Sequence, residues 1–122
     1  GLDVGVINAR WAKPLDENAI LEAASRSDCI VTLEENVLAG GFGSAVLEVL
    51  EIHDMLSQVT TKRLGVPDTF VEQGDNVSLM HLLGLDVGQL VERIMSAAYP
   101  GGDPRGVIGN RQRTSVSGPK HR

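Results

Sequence analysis

A segment from Cys29 to Glu51 constrains the fold of this chain more than any other part of the sequence. It reads CIVTLEENVLAGGFGSAVLEVLE, so a short apolar run ends in two adjacent acids and a glycine-rich turn leads straight into a helical pattern. This strand–turn–helix order is typical of α/β domains, whose functional edges lie where strands end and helices begin. The segment therefore predicts an α/β fold and marks the first place to look for a site.

The alternation of strands and helices continues on both sides of that segment. Short apolar or β-branched runs predict strands at Val4–Asn8, Cys29–Leu33 and Gln58–Leu64. Three helices are predicted to follow capping residues: one from Asp16 to near Ser25, one from Asp75 to near Leu83 and one from Asp86 to near Ala98. A fourth is predicted to follow the glycine-rich turn and to end near Met55. This order predicts a three-layer α/β/α architecture with a small, mostly parallel sheet. We expect Phe70 and Val71 to anchor the loop before the third helix.

The helix behind the glycine-rich turn is apolar over an unusually wide part of its circumference. Its apolar residues are Ala45, Val46, Leu47, Val49, Leu50, Ile52 and Leu56. A helix that covers only the sheet below it needs a narrower stripe. We therefore expect this helix to contact a further domain or subunit.

Charge divides the chain into an acidic body and a basic tail. Residues 1–99 carry 15 acids and 6 bases, a net charge of −9, whereas residues 100–122 carry one acid and five bases, a net charge of +4. Nucleic acid is not an expected partner, because the body lacks the clustered Lys and Arg that neutralise phosphates. We assign residues 1–99 to one domain and predict that residues 100–122, rich in Gly and Pro, form a disordered basic tail.

Membrane and metal partners are not expected either. No apolar run approaches the ~20 residues of a membrane-spanning helix. Cys29 is the only cysteine, which leaves no intrachain disulfide and fits a reducing cytoplasm. His53 and His81 lack partners at metal-ligand spacing, so each is predicted to be a surface or packing residue.

The glycine-rich turn is the first candidate site. Backbone N–H groups at a helix N-terminus can bind an anion, and Gly40, Gly41 and Gly43 precede or open the helix here. The sequence of this turn matches neither the G-x-G-x-x-G motif nor the phosphate loop that ends in Gly-Lys-Ser/Thr. We favour a structural turn that lets the helix lie close to the strand, with an anion site as the alternative.

The carboxylates of Glu34 and Glu35 and the guanidinium of Arg10 are the other candidates. Neighbouring strand residues point to opposite faces, so the two acids are poorly placed to act on one substrate atom. One acid could instead cap the following helix or pair with a base such as Arg10 or Lys13. Arg10 follows the first predicted strand, where an α/β sheet meets a ligand or partner. These residues indicate a structural or interface role and no self-contained active site.

Four segments of the chain contain specific sequence motifs, which are more informative than composition and spacing. They are Asn8–Asp16, Val31–Val46, Leu64–Val71 and Leu83–Asp86. In order and spacing they resemble the C-terminal, transketolase-like domain of the 1-deoxy-D-xylulose-5-phosphate synthase family, and the resemblance covers about residues 1–98. The segment EENVLAGGFGSAV, from Glu34 to Val46, is the most specific. Transketolases and the β subunits of 2-oxoacid dehydrogenases share only a weaker form of these motifs.

The resemblance implies a place in a larger enzyme. That family condenses pyruvate, with loss of carbon dioxide, onto glyceraldehyde 3-phosphate, and opens the non-mevalonate route to isoprenoids and a route to thiamine. It uses thiamine diphosphate and Mg²⁺, held by two upstream domains that this chain does not match. The matching domain would pack on those upstream domains and contribute to a homodimer, in the bacterial cytoplasm or a plastid. We therefore expect no catalytic, cofactor-binding or metal-ligating residue in this chain, which alone would be inactive.

The resemblance also implies an incomplete sheet. In the family, this domain opens with another strand and helix before the segment that matches Gly1, so an exposed sheet edge and helix-docking face are expected here. Two alternatives remain open. One is the equivalent domain of a transketolase or a 2-oxoacid dehydrogenase β subunit, and the other is a free-standing anion-binding module that uses Gly40–Gly43.

Overall fold

A computed structural model describes residues 2–70 and 73–101 of the 122-residue chain. Six helices and strands follow one another along these residues. They are α1 (Glu17–Arg26), β1 (Cys29–Val37), α2 (Phe42–Ile52), β2 (Thr60–Val66), α3 (Asn76–Leu82) and α4 (Val87–Ala98). Most of the predicted tail and the predicted loop anchor Val71 lie outside the described residues.

The two strands form a parallel pair, which confirms the parallel α/β prediction. Cys29 lies opposite Thr60, and the register runs evenly to the pair of Leu33 and Leu64. An irregularity follows before the last pair, Val37 with Val66. β1 therefore continues through the acidic residues at which the sequence pattern predicted its end.

The third predicted strand begins and ends two residues later than expected, at Thr60 and Val66. Gln58 belongs to the preceding turn, because its backbone N–H donates to the Met55 carbonyl and its side-chain amide donates to the Asp54 carbonyl. Pairing begins only where β1 offers a partner, with Thr60 opposite Cys29. The apolar pattern indicated the strand, and the turn geometry decided its bounds.

The strand predicted at Val4–Asn8 is wrong. The segment is neither strand nor helix, and the side chains of Val4, Val6 and Ile7 are 62 %, 88 % and 58 % exposed. A β-strand exists only through hydrogen bonds to a neighbouring strand, and the described residues form a sheet of β1 and β2 alone. A β-branched pattern indicates that a segment can enter a sheet, but it does not supply the partner.

Helices cover both faces of the strand pair. On one face, α1 and α2 enclose the core residues Ala24, Val46, Leu50 and Val59. On the other, α4 contacts both strands, and Glu92 and Arg93 of α4 line a shallow depression with Lys62 of β2. The arrangement is the predicted three-layer α/β/α order, although α3 and α4 contain no buried residue.

The predicted helix starts are confirmed by their caps. The side chains of Asp16, Asp75 and Asp86 each accept a 3.0 Å hydrogen bond from the backbone N–H three residues later. These bonds satisfy N–H groups that have no partner within the helix. α2 ends at Ile52, before the predicted Met55, and the chain leaves it through Asp54 at φ +56°.

Phe70 does not anchor the loop before α3, because its side chain is 96 % exposed. Among the residues described, no helix combines the length and apolar character needed to cross a membrane.

Candidate functional site

The carboxylate of Glu34 occupies the N-terminus of α2. Its two oxygens accept hydrogen bonds from the backbone N–H groups of Phe42, at 2.7 Å, and of Gly43, at 3.0 Å. Glu34 can reach them because β1 continues past Leu33 and directs this side chain to the face that α2 covers. A carboxylate at this end of a helix satisfies unpaired N–H groups and complements the positive end of the helix dipole.

Arg63 of β2 holds the other side of the turn. Its guanidinium donates to the Leu38 carbonyl at 2.9 Å and to Ser44 Oγ at 2.8 Å. The Ser44 hydroxyl donates to the same Leu38 carbonyl at 2.8 Å. One carbonyl oxygen thus receives hydrogen bonds from a strand and from a helix. This links β2 to the turn between β1 and α2.

Three glycines leave the space that this arrangement needs. A Cβ on Gly41 would collide with the Glu34 carboxylate and would lie 2.5 Å from the Val37 carbonyl oxygen. A Cβ on Gly43 would lie 2.6 Å from Thr32 Oγ1, and one on Gly65 would lie 2.9 Å from Glu34 Cγ. Real Cβ atoms do not approach other atoms this closely. The geometry agrees with a turn that brings helix and strand together, as the sequence indicated.

Gly40 differs from these glycines. It adopts φ +69°, a backbone conformation that side chains disfavour, and a Cβ there would meet nothing within 4 Å. Glycine is therefore required at position 40 by the backbone conformation, and the outer surface of the turn there is open.

Thr32 contributes the one buried side-chain oxygen without a hydrogen-bond partner among the described residues. It lies on β1 beside Gly43, and 7 % of it is exposed. A buried hydroxyl without a partner costs free energy. We attribute this cost at Thr32 to the close approach of α2 to β1.

This turn is poorly suited to bind an external anion. The N–H groups of Phe42 and Gly43 already bind the internal carboxylate of Glu34. A phosphate at the same place would have to displace that carboxylate or lie against a negative charge. Both oxygens of Glu34 accept hydrogen bonds from the helix backbone, which gives this carboxylate a structural role at the start of α2.

The remaining predicted site residues do not join Glu34. Glu35 is exposed, as expected from the alternation of side chains along a strand. Arg10 and Lys13 are also exposed, and neither forms an ion pair with Glu34 or Glu35 in the described part of the chain. The proposed interface roles of Arg10, Glu34, Glu35 and the glycines stay predictions.

Sequence reasoning missed Arg63, Ser44 and Gly65, which complete the turn. The structural role of Arg63 could have been predicted, because a charged side chain within a predicted strand of a parallel sheet requires a hydrogen-bond acceptor nearby. Its acceptor lies 25 residues away in sequence. Only the register of β2 on β1 brings the two together.

A second polar cluster joins α3 to α4. Asp86 accepts a hydrogen bond from the Gln89 N–H at 3.0 Å and lies 2.6 Å from His81 Nδ1. These contacts, the Gln89 backbone first and His81 next, lower the pKa of the Asp86 carboxyl from its ordinary value. Arg93 donates to the Gly84 carbonyl and closes the same turn. His81 thus serves as a helix-end contact.

Among the described residues, the other titratable groups form no reactive centre. Burial raises the pKa of the Cys29 thiol, which disfavours its thiolate form. Within residues 2–70 and 73–101, no three His, Cys, Asp or Glu side chains lie close enough together to hold a metal ion.

Many large apolar side chains are exposed among the described residues. The exposed large apolar residues include Val4, Val6, Ile7, Trp11, Leu33, Val37, Ile52, Leu56, Phe70, Val77, Leu82, Val87 and Val91. Such surfaces mark contacts with other proteins or domains. The described residues therefore combine a precisely packed turn with large uncovered apolar surfaces.

The family model described as "Transketolase, C-terminal domain" matches residues 1–90. The chain belongs to this family. Among curated proteins, it is similar to 1-deoxy-D-xylulose-5-phosphate synthases. One from Geobacter sulfurreducens is 57 % identical over 86 residues, which are 70 % of this chain and 13 % of the relative.

More distant relatives carry the same name. The synthase from Caldanaerobacter subterraneus is 45 % identical over 78 % of this chain and 15 % of its own length, and that from Aquifex aeolicus is 41 % identical over 84 % and 16 %. The chain thus spans about one seventh of the length of the curated relatives it matches.

Proposed function

We propose that this chain is the C-terminal domain of a 1-deoxy-D-xylulose-5-phosphate synthase. In that role it would pack on upstream domains of the same polypeptide and contribute to a homodimer. The observation that carries the proposal is the 57 % identity to the Geobacter sulfurreducens synthase over 86 residues. The relatives named above are all synthases of this kind, which favours it over a transketolase or a 2-oxoacid dehydrogenase β subunit.

The enzyme so formed would condense pyruvate with glyceraldehyde 3-phosphate in the cytoplasm or a plastid. When bound, thiamine diphosphate would supply the carbanion chemistry of that reaction, and Mg²⁺ would hold its diphosphate.

The described residues of this domain do not fit a diphosphate. The only glycine-rich helix start among them, at Phe42 and Gly43, already has its N–H groups bound to the Glu34 carboxylate. We therefore assign no step of the reaction to this chain, and the proposal gives it a structural role.

The exposed N-terminal segment supports that role. Residues 2–12 form neither helix nor strand, and Val6 and Trp11 are 88 % and 73 % exposed. β1 pairs with β2 on one side, and no described strand pairs with its other side. A further strand and helix from the preceding polypeptide would cover both, as the family resemblance implies.

Complementation tests the proposal. The chain alone, given pyruvate, glyceraldehyde 3-phosphate, thiamine diphosphate and Mg²⁺, should form no product. A Geobacter sulfurreducens synthase from which the matching domain is deleted should regain activity when this chain is fused in its place. Turnover by the isolated chain would overturn the structural role. An inactive but folded fusion would contradict the assignment to this enzyme.

A further inference from the structure

The surface at the carboxyl end of β1 is apolar, acidic and uncovered. Leu33, Glu35, Val37 and Ala39 form it, and we call it the carboxyl-edge surface. Leu33 is 52 % and Val37 is 36 % exposed, and Glu35 and Ala39 are exposed as well. Glu34 caps α2, and none of these four side chains takes part in that contact. They therefore remain available for a partner.

Polar contacts directly behind this surface hold it in one shape. Glu34 binds two N–H groups of α2, and Arg63 and Ser44 both bind the Leu38 carbonyl. The Leu38 N–H in turn donates to the Val66 carbonyl at 2.9 Å. A turn fixed at so many points loses little conformational entropy when a partner binds, which favours binding.

We propose that the carboxyl-edge surface docks this domain onto the polypeptide that precedes it in the full-length enzyme. The partner would present an apolar patch and a basic side chain opposite Glu35. This inference rests on the proposed function and names the contact through which that function is exerted.

The lengths of the relatives identify this occupant. The chain covers only 13 % to 16 % of the curated synthases it matches, and its family is a C-terminal domain. Most of such a polypeptide therefore lies before this domain and is available to cover it.

Charge argues for this occupant over a second copy of the same surface. In a two-fold contact the same patch meets itself, so Glu35 would lie near its own counterpart. The bodies of both copies, residues 1–99, would each bring a net charge of −9. Like charges at close range oppose association. A basic, apolar partner removes this repulsion.

Binding to a truncated synthase tests the inference. The Geobacter sulfurreducens enzyme without its matching domain is titrated with this chain by calorimetry. Ala39→Arg and Glu35→Lys should each raise Kd at least tenfold, and Glu35→Gln should raise it less and weaken the dependence on salt. Ser57→Arg is the matched control, because Ser57 is exposed in the loop at the opposite end of β2. It should leave Kd unchanged.

The outcomes separate this inference from the proposed function. Circular dichroism melts of each variant establish that its domain is folded before binding is compared. Equal binding by wild type, Ala39→Arg and Glu35→Lys would overturn the carboxyl-edge contact alone. Failure of the wild-type chain to bind at all would overturn both proposals. Dimerisation of the chain by itself, abolished by Ala39→Arg, would assign the surface to a second copy and refute the partner named here.

Discussion

Glu34 accepts a 2.7 Å hydrogen bond from the backbone N–H of Phe42, so the strand that precedes α2 also caps it. The bond joins residues eight positions apart across the glycine-rich turn. Together with the 3.0 Å bond to Gly43, it makes β1, the turn and α2 one structural unit.

Removing the Glu34 carboxylate should destabilise the chain. Glu34→Ala leaves two N–H groups of α2 without their charged acceptor, which costs about 2 kcal/mol of unfolding free energy. Glu34→Gln keeps one acceptor oxygen and should cost about half as much. Urea unfolding followed by circular dichroism measures both. Glu35→Ala, one residue along the same strand but exposed, should leave the urea midpoint within error. Equal losses at Glu34 and Glu35 would contradict the capping role.

Gly41 should be intolerant of any side chain. Gly41→Ala places a Cβ against the Glu34 carboxylate and 2.5 Å from the Val37 carbonyl, so a loss of about 2 kcal/mol is expected from the forced backbone shift. Gly88→Ala is the matched control. Its Cβ would meet only Asp86 Oδ1 at 3.4 Å, inside α4, and should stabilise the chain by up to about 1 kcal/mol. Thermal unfolding of the two variants should shift in opposite directions.

Asp54 offers a stabilising substitution. It follows α2 at φ +56°, in the left-handed region that glycine enters without strain. Asp54→Gly should raise the unfolding free energy by about 0.5 kcal/mol, because relief of strain exceeds the greater flexibility of the unfolded chain. Glu51→Gly, at an exposed position within the last turn of α2, should lower it by about 1 kcal/mol. A destabilising Asp54→Gly would show that its side chain has a role at this helix end.

Acid should weaken the caps of α3 and α4. Hydrogen bonds with Ser78 lower the pKa of Asp75, and the Gln89 N–H, with a smaller effect of His81, lowers that of Asp86. A carboxyl with a lowered folded-state pKa stabilises the fold above its unfolded pKa, near 3.8, and loses this contribution as the pH falls through the folded value.

The double variant Asp75→Asn/Asp86→Asn isolates this effect. Its thermal midpoint should lie below that of wild type at pH 7, and the difference should shrink as the pH falls below about 4. A difference that stays constant between pH 7 and pH 3 would show that the charges of these two carboxyls do not contribute.

Local signals predicted the helices well. Asp16, Asp75 and Asp86 cap helices as expected because a cap depends on residues three positions apart in sequence. The strands were predicted less well, because a strand depends on a partner that sequence does not specify. Val4–Asn8 has a strand-like pattern and no partner in the described sheet, whereas β1 extends past its acids because Val66 pairs with Val37.

The candidate site was predicted in part. The glycines and Glu34 were singled out from the sequence, and the absence of a phosphate-loop pattern favoured a packed turn. Arg63 was missed because its contact with Leu38 arises from the parallel register of two strands.

The unequal burial of the two helical layers has a consequence for motion. α1 and α2 share the core around Leu50, which is fully buried, while α3 and α4 bury none of their residues. Elements with few buried contacts open at a lower free energy than the rest of a fold. Backbone amides of α3 and α4 should therefore exchange with deuterium well before those of α2. α4 packs on both strands, so partial unfolding would begin on the face of the sheet that α4 covers.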